Sequence, residues 1–329
     1  MLPLKSWKTR QPQFLAIWPA TIVLFILSPF LARGSVSDSS ILIVFSFASI
    51  LAIAAVGQTL VIQQGGLDLT VPGVMSVAAV LVSKYPGGEN GDVLIWVVIA
   101  IASGALSGLV CGVANTYFRI TPFVATLAVN ALLYGAVLFL TKGTSTQAVP
   151  AALGDFAVGR VGGFPNLAIV AAVAVILFEI AIRATAVGRR FVAIGDNERA
   201  ARAAGMRVVG VHIATYVVAG AVYALAGVLL AGYLGIPSLL VGNSYLLPTI
   251  AAVVLGGTSL LGGAGSVAAS AVGALFLVQL QQVTLGMGAP ASVQDIIEAA
   301  IIAVGMGLRL VPWRQAFRQF NSKLVKGNP

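Results

Sequence analysis

Hydrophobic residues in this chain come in long blocks, without the one-sided period of a soluble helix or the alternation of a half-buried strand. Glycine, proline and charge divide them into ten segments, at about 14–33, 39–63, 70–84, 93–118, 122–141, 167–185, 208–233, 245–261, 265–285 and 292–312. A helix rises about 1.5 Å per residue, so about 20 residues cross a ~30 Å hydrocarbon layer. Most blocks meet that length; 70–84 and 245–261 fall short. The pattern predicts an all-α polytopic membrane protein of about ten transmembrane helices. The apolar run from Phe14 to Ala32 is longer than a leader's core and lacks a clean small-x-small ending, so it reads as a retained first span.

Composition supports the same picture. Of 329 residues, 59% are hydrophobic and 9% charged, and the mean hydropathy is +1.00; a soluble domain carries about 25% charged residues. With ten spans and the N-terminus inside, only Arg33, Lys84, Lys142 and Arg160 fall outside, and the other fifteen Lys and Arg residues lie inside. That bias predicts both termini on the cytoplasmic side. It also predicts one transmembrane domain over 1–329, with cytoplasmic tails at 1–13 and 313–329 and a cytoplasmic loop at 186–207. The net charge of +9 then follows from topology and does not indicate a nucleic-acid partner. The stretch from Trp313 to Phe320 fits an amphipathic segment on the anionic inner leaflet.

Candidate chemistry is sparse. Cys111 and His212 each occur once, which leaves no disulfide, no metal-ligating pair and no evident nucleophile–base dyad. No Gly-x-x-x-x-Gly-Lys-Ser/Thr run occurs, so the chain has no Walker-type phosphate cradle. The expectation is a non-enzyme that binds no cofactor itself and draws its energy from a partner.

Two glycine-rich interruptions break the helical pattern, Gln63 to Gly73 and Leu255 to Ser266. Each follows a similar lead-in, Ile53-Ala-Ala-Val56 and Ile250-Ala-Ala-Val253. This weak echo suggests an internal inverted repeat with discontinuous helices, an arrangement that places a transport route at the repeat interface. Irregular backbone at membrane depth needs protein cover or a wet cavity, while glycine also serves plain helix packing. The residues singled out for a route or gate are Gln58, Gln63, Gly65, Gly66, Asp68, Asn115, Thr126, Asn130, Gly256, Gly257 and Thr258. Gln64 and Gln279 belong to the same polar set. Interhelical hydrogen bonding is an equal account of the polar ones, and Asp68 is expected to cap the helix after it. Glu179 and Glu298 fall within spans, near helix ends or neighbours, and do not suggest a proton relay.

The polar loop is the other informative feature. A short helix from Asn197 to about Ala204 has Asp196 or Asn197 as its cap, small alanines along it, and Gly205 at a left-handed end. Gly195, Asp196, Asn197, Glu198, Arg199, Ala200, Ala201, Arg202 and Gly205 form a candidate surface for a soluble partner that pushes on the spans.

Four blocks resemble the permeases of ribose-type carbohydrate ABC importers. They are Gly65-Gly-Leu-Asp-Leu-Thr-Val71, Thr121-Pro-Phe-Val-Ala-Thr-Leu127 with Gly135, Ala193 to Met206, and Ile250 to Ser266. Pro72-Gly73, Tyr134 and Glu298 depart from that family's usual residues. The resemblance implies a permease in the bacterial inner membrane, paired with a second permease subunit and with cytoplasmic ABC ATPases that use ATP and Mg and act on the loop as a coupling helix. It also implies a periplasmic solute-binding protein that delivers a monosaccharide or related polyol. Nucleosides or branched-chain amino acids are the alternative cargoes, and a stand-alone secondary transporter the alternative mechanism.

Overall fold

The computed structural model describes residues 12–86, 90–144 and 146–290, with 292–294, 296, 297, 299, 300 and 303 beyond them. Tail 1–11, tail 313–329, Glu298 and most of the segment 292–312 lie outside the described residues.

A short turn α1 (Pro12–Leu15) leads into α2 (Ile17–Leu31), α3 (Asp38–Gln63), α4 (Val71–Lys84), α5 (Val93–Thr116) and α6 (Pro122–Thr141). A small helix α7 (Ala151–Val158) and a two-residue hairpin, β1 (Arg160–Val161) and β2 (Phe164–Pro165), precede α8 (Asn166–Ala184). Then come α9 (Ala186–Asp196), α10 (Glu198–Ala203), α11 (Val208–Leu234), a 3-10 turn at Val241–Tyr245, α12 (Leu246–Leu255) and α13 (Val267–Gly286). Among the described residues, six helices are long and apolar enough to cross a membrane, and three apolar helices are shorter, Ile17–Leu31, Val71–Lys84 and Val241–Leu255. The segment expected at 245–261 stops as a helix at Leu255, because the glycines from Gly256 onward form a loop.

The two longest helices, α3 and α11, form the centre and run antiparallel. Phe47 meets Tyr233 edge to face with ring centroids 5.1 Å apart at one end, and the Tyr223 hydroxyl donates to Gln58 Oε1 at 2.9 Å near the middle. At the other end Gly66 leaves room for the Tyr216 hydroxyl, which a Cβ would meet at 2.5 Å. Helix α5 packs along α11 through the stripe Gly104, Gly108 and Gly112, opposite Gly220, Tyr216 and Ile213. On the other side of the core α13 packs along α3, where Thr59 Oγ1 donates to Ser270 Oγ at 2.9 Å.

These pairings define the repeat. Helix α3, then the positive-φ Gly65, then the shorter α4 parallels α11, then the positive-φ Gly235, then the 3-10 turn and α12. Because α3 and α11 run in opposite directions, the two units are inverted. The sequence echo pairs different segments. The Gln63–Gly73 and Leu255–Ser266 breaks lie at the same end of the molecule, where Gly263 N donates to Gln63 O at 2.8 Å, and both follow helices running toward that end. The two glycine clusters therefore share one orientation, which corrects their assignment as the inverted pair.

Basic residues separate along the helix axes. Arg119, Arg183, Arg189, Arg190, Arg199, Arg202 and Arg207 sit at the end carrying α9 and α10, while Arg33, Lys84, Lys142 and Arg160 sit at the opposite end. The first is called the basic end below, the second the far end.

Candidate functional site: a lever seated on two glycine breaks

The polar loop folds as two helices. In α9 the Thr185 side chain caps the start by accepting from Gly188 N at 3.0 Å. In α10 Asn197, not Asp196, is the cap, its Oδ1 accepting from Ala200 N at 3.0 Å. Gly205 closes α10 with φ +76°, a conformation that favours glycine. Glu198 and Arg202 pair along the exposed face at 2.8 Å. Such an exposed i, i+4 pair contributes only about 0.3–0.5 kcal/mol, so the cap and the contacts beneath the helices matter more. Ala201 is the buried anchor of α10, clustered with Ile194 and Val208.

The contacts beneath α9 reach both breaks. Gly195 lies so close to the first break that a Cβ there would overlap the Gln63 carbonyl oxygen. Gln64 Nε2 donates to Phe191 O of α9 at 2.8 Å. From the second break, a Cβ on Gly262 would meet Gly195 O at 2.9 Å, and one on Gly263 would meet Asp196 Cα at 3.0 Å. Gly265 leaves space for the Gln63 side chain. Three backbone segments distant in sequence thus touch with almost no side chain between them. Backbone contact of this kind has no rotamers to absorb movement.

A second tie holds α8 to the start of α13. Glu179 is paired with Arg183, accepts from Ala268 N at 3.1 Å and receives the Ser266 hydroxyl at 3.2 Å. Glu179 is therefore a structural carboxylate at the helix end. Replacing it with leucine leaves the Ala268 N–H without that acceptor and Arg183 without its partner. The expected cost is about 1–3 kcal/mol, readable as a lower thermal midpoint in detergent, with glutamine recovering part of it.

The first break also borders a polar cavity of about 360 Å³. Gln64, Gly65, Gly66, Asn115, Glu198 and Arg202 all line it, so candidate gate residues and candidate lever residues share one space. Tyr216, His212 and Arg119 also line it, and Asn115 Nδ2 donates to the Tyr216 hydroxyl at 3.3 Å. Sequence reasoning missed Tyr216 and Arg119. Nothing distinguishes Tyr216 from other span aromatics, and the left-handed φ of 54° at Arg119 carries no glycine to advertise it. A larger cavity of about 520 Å³ lies toward the far end between α3, α11, α12 and α13, and no lever residue reaches it.

Other candidates serve packing. Gln58 is 0% exposed and bonded to Tyr223. Asn130 Oδ1 accepts from Gly73 N at 2.9 Å, Thr126 donates back to Pro122 O at 2.8 Å, and Gln279 Nε2 donates to Ser28 Oγ at 2.8 Å. Asp68 does not occupy the cap of α4, which is Thr70. It sits two residues earlier, where Oδ1 accepts from Thr70 N at 2.8 Å and from Thr70 Oγ1 at 2.6 Å. This side-chain turn fixes the chain just ahead of α4. Gly256 packs on α13, where a Cβ would meet Ser270 N at 2.6 Å. Gly257 takes φ +98°, and Thr258 is 3% exposed. Among the described residues no cluster of three metal-ligating side chains occurs.

An interrupted bundle of apolar helices with a capped polar loop suits a transport permease, and comparison with known proteins agrees. Residues 40–305 match the family described as branched-chain amino acid transport system / permease component, and the chain belongs to that family. It is the permease component of an ABC import system. It is similar to the ribose import permease protein RbsC of Escherichia coli strain K12, with 31% identity over 306 residues, covering 92% of this chain and 94% of the relative. It is also similar to the autoinducer 2 import system permease protein LsrC of Escherichia coli O9:H4 strain HS, with 31% identity over 283 residues, covering 86% and 82%. No solved structure matches the chain significantly.

Proposed function

We propose that this permease carries a monosaccharide or related polyol across the bacterial inner membrane, driven by partner ATPases that bear on α9 and α10. In this reading the basic end is cytoplasmic, the far end meets a periplasmic solute-binding protein, and a second permease copy or homologue completes the route. One observation carries the mechanism: α9 touches both glycine breaks through backbone atoms. Movement of the lever shifts the start of α4 and the start of α13 together, which changes access at the basic end. Similarity to a ribose permease supports the cargo class.

The test is uptake by the whole importer, reconstituted with its ATPase and binding protein. Labelled pentoses and hexoses should accumulate only with ATP. Accumulation of branched-chain amino acids instead would favour the cargo in the family description, and accumulation without nucleotide would favour a secondary transporter.

Two variants probe the lever. Gly205→Pro demands φ near −65° where the chain takes +76°, and Arg202→Glu places like charges at positions 198 and 202. Each is expected to abolish the stimulation of ATP hydrolysis by substrate-loaded binding protein while leaving the chain in the membrane. Normal stimulation in both would remove the lever assignment.

A further inference from the structure

The two half-helices of the inverted repeat begin against each other deep within the bundle. Helix α11 has 27 residues, about 40 Å at ~1.5 Å per residue, so its middle lies near residue 221. Gly227 rests on the Met75 backbone, where a Cβ would come within 2.7 Å of Met75 Cα. The first turn of α4, at Pro72 and Gly73, therefore lies about one turn nearer the middle of α11. Gly242, at the start of the second half-helix, packs on this turn: its N–H donates to Ser76 Oγ at 3.1 Å, and a Cβ would meet Pro72 Cα at 2.9 Å. Tyr134, just past the midpoint of α6 (Pro122–Thr141), is at the same depth, and its hydroxyl donates to Asn243 Oδ1.

The side chains on this level are unusual for their depth. Asn243 is exposed and Tyr134 is half-buried, and one turn on from Asn243 the exposed residue is Leu247. Both Asn243 amide hydrogens lack a partner among the described residues. An amide facing hydrocarbon at mid-depth would lose its solvation without compensation. An amide in such a place calls for water or a polar solute beside it.

We propose that Asn243 and Tyr134 form a solute-contacting station halfway along the translocation route, specific for a neutral polyhydroxylated ring. This inference rests on the sugar-permease reading above. The Tyr134 hydroxyl holds the Asn243 carbonyl oxygen, which turns the two amide donors toward the route. The tyrosine ring offers an apolar surface to the C–H face of a sugar. Two helix starts facing this level add partial positive charge that favours hydroxyl oxygens. The station provides passing affinity at a point far from the lever.

The complete importer in proteoliposomes tests it in two ways. In Asn243→Cys, a small cationic, membrane-impermeant methanethiosulfonate reagent should label the cysteine at least tenfold faster than in Ile176→Cys, on the exposed α8. Native Cys111 is 1% exposed and sets the background. Labelling no faster than at position 176, or a disulfide between two copies of Asn243→Cys without labelling, would overturn the station. In parallel, Asn243→Leu should lower maximal uptake of a labelled pentose or hexose at least fivefold, with the half-saturating concentration and ATP hydrolysis retained, and Asn243→Gln should recover part of it. Unchanged uptake in Asn243→Leu would likewise overturn the station. If the wild type takes up no sugar at all, the sugar-permease reading fails instead, while rapid labelling of Asn243→Cys would still establish a wet route there.

Discussion

Gly108→Leu is expected to prevent the chain from reaching a stable folded state. A Cβ at this position would overlap the Tyr216 carbonyl oxygen and sit 2.6 Å from its carbon and 3.0 Å from Val217 Cα. All three are backbone atoms of α11, so no rotamer change relieves the clash and the helices must separate. Separation would open the paired stripe at Gly104 and Gly220, whose backbones are equally close. Overpacking a core commonly costs about 1–3 kcal/mol. Here the penalty falls on the most extensive helix pair in the bundle, so it should exceed that range and rival the whole stability of a domain, about 5–15 kcal/mol. The measurement is the yield of monodisperse protein in detergent together with its thermal midpoint. Gly135→Ala is the control, because a Cβ there meets nothing within 4 Å, and alanine is favoured over glycine within a helix by about 1 kcal/mol. A Gly108→Leu chain as abundant and stable as this control would show that α5 and α11 are not packed at this distance.

Gly195→Val is expected to do the opposite, sparing the bundle and breaking its function. The valine Cβ would overlap the Gln63 carbonyl oxygen, at the edge of the molecule where α9 can lift away without disturbing the α3–α11 core. Lifting removes the Gln64–Phe191 hydrogen bond and separates α9 from the second break at Gly262. The expected result is a folded, membrane-inserted permease that still recruits its ATPase but transports at least tenfold less, with hydrolysis no longer responsive to the binding protein. Gly210→Ala, in α11 with open space around it, should transport normally. Normal uptake in Gly195→Val would mean that the lever and the breaks move independently.

The sequence revealed the six long apolar helices and the capped loop because bilayer thickness and backbone capping leave local marks. Asn197 and Gly205 are legible for that reason: each meets a need of the residues beside it. The packing of the spans is not local. Helix α8 and helix α3 have the same peak hydropathy of 2.4, yet 11% of one span window and 67% of the other are buried. In a bilayer a lipid-facing side chain is as apolar as a core one, so periodicity does not show which face is inside. The repeat was misassigned for a related reason. The glycine clusters look alike because both must lie under α9 at the same end, whereas the α3 and α11 units match in length and geometry with little shared sequence. Asp68 was placed one structural step too late, because a side-chain turn and a helix cap call for the same residue types. Tyr216 and Arg119 carry no sequence mark of the cavity they line.

The most direct test of the coupling is a pair of distances between spin labels in the complete importer, with and without bound nucleotide. One pair joins Arg199→Cys on the lever to Leu261→Cys on the second break, where the native leucine is 95% exposed. The other joins Leu261→Cys to Leu94→Cys, which is 73% exposed near the far-end start of α5. Lever and break moving as one body predict an unchanged first distance and a second that shifts between states. A first distance that changes while the second stays fixed would contradict the account, since the lever would then be sliding over the breaks and not carrying them.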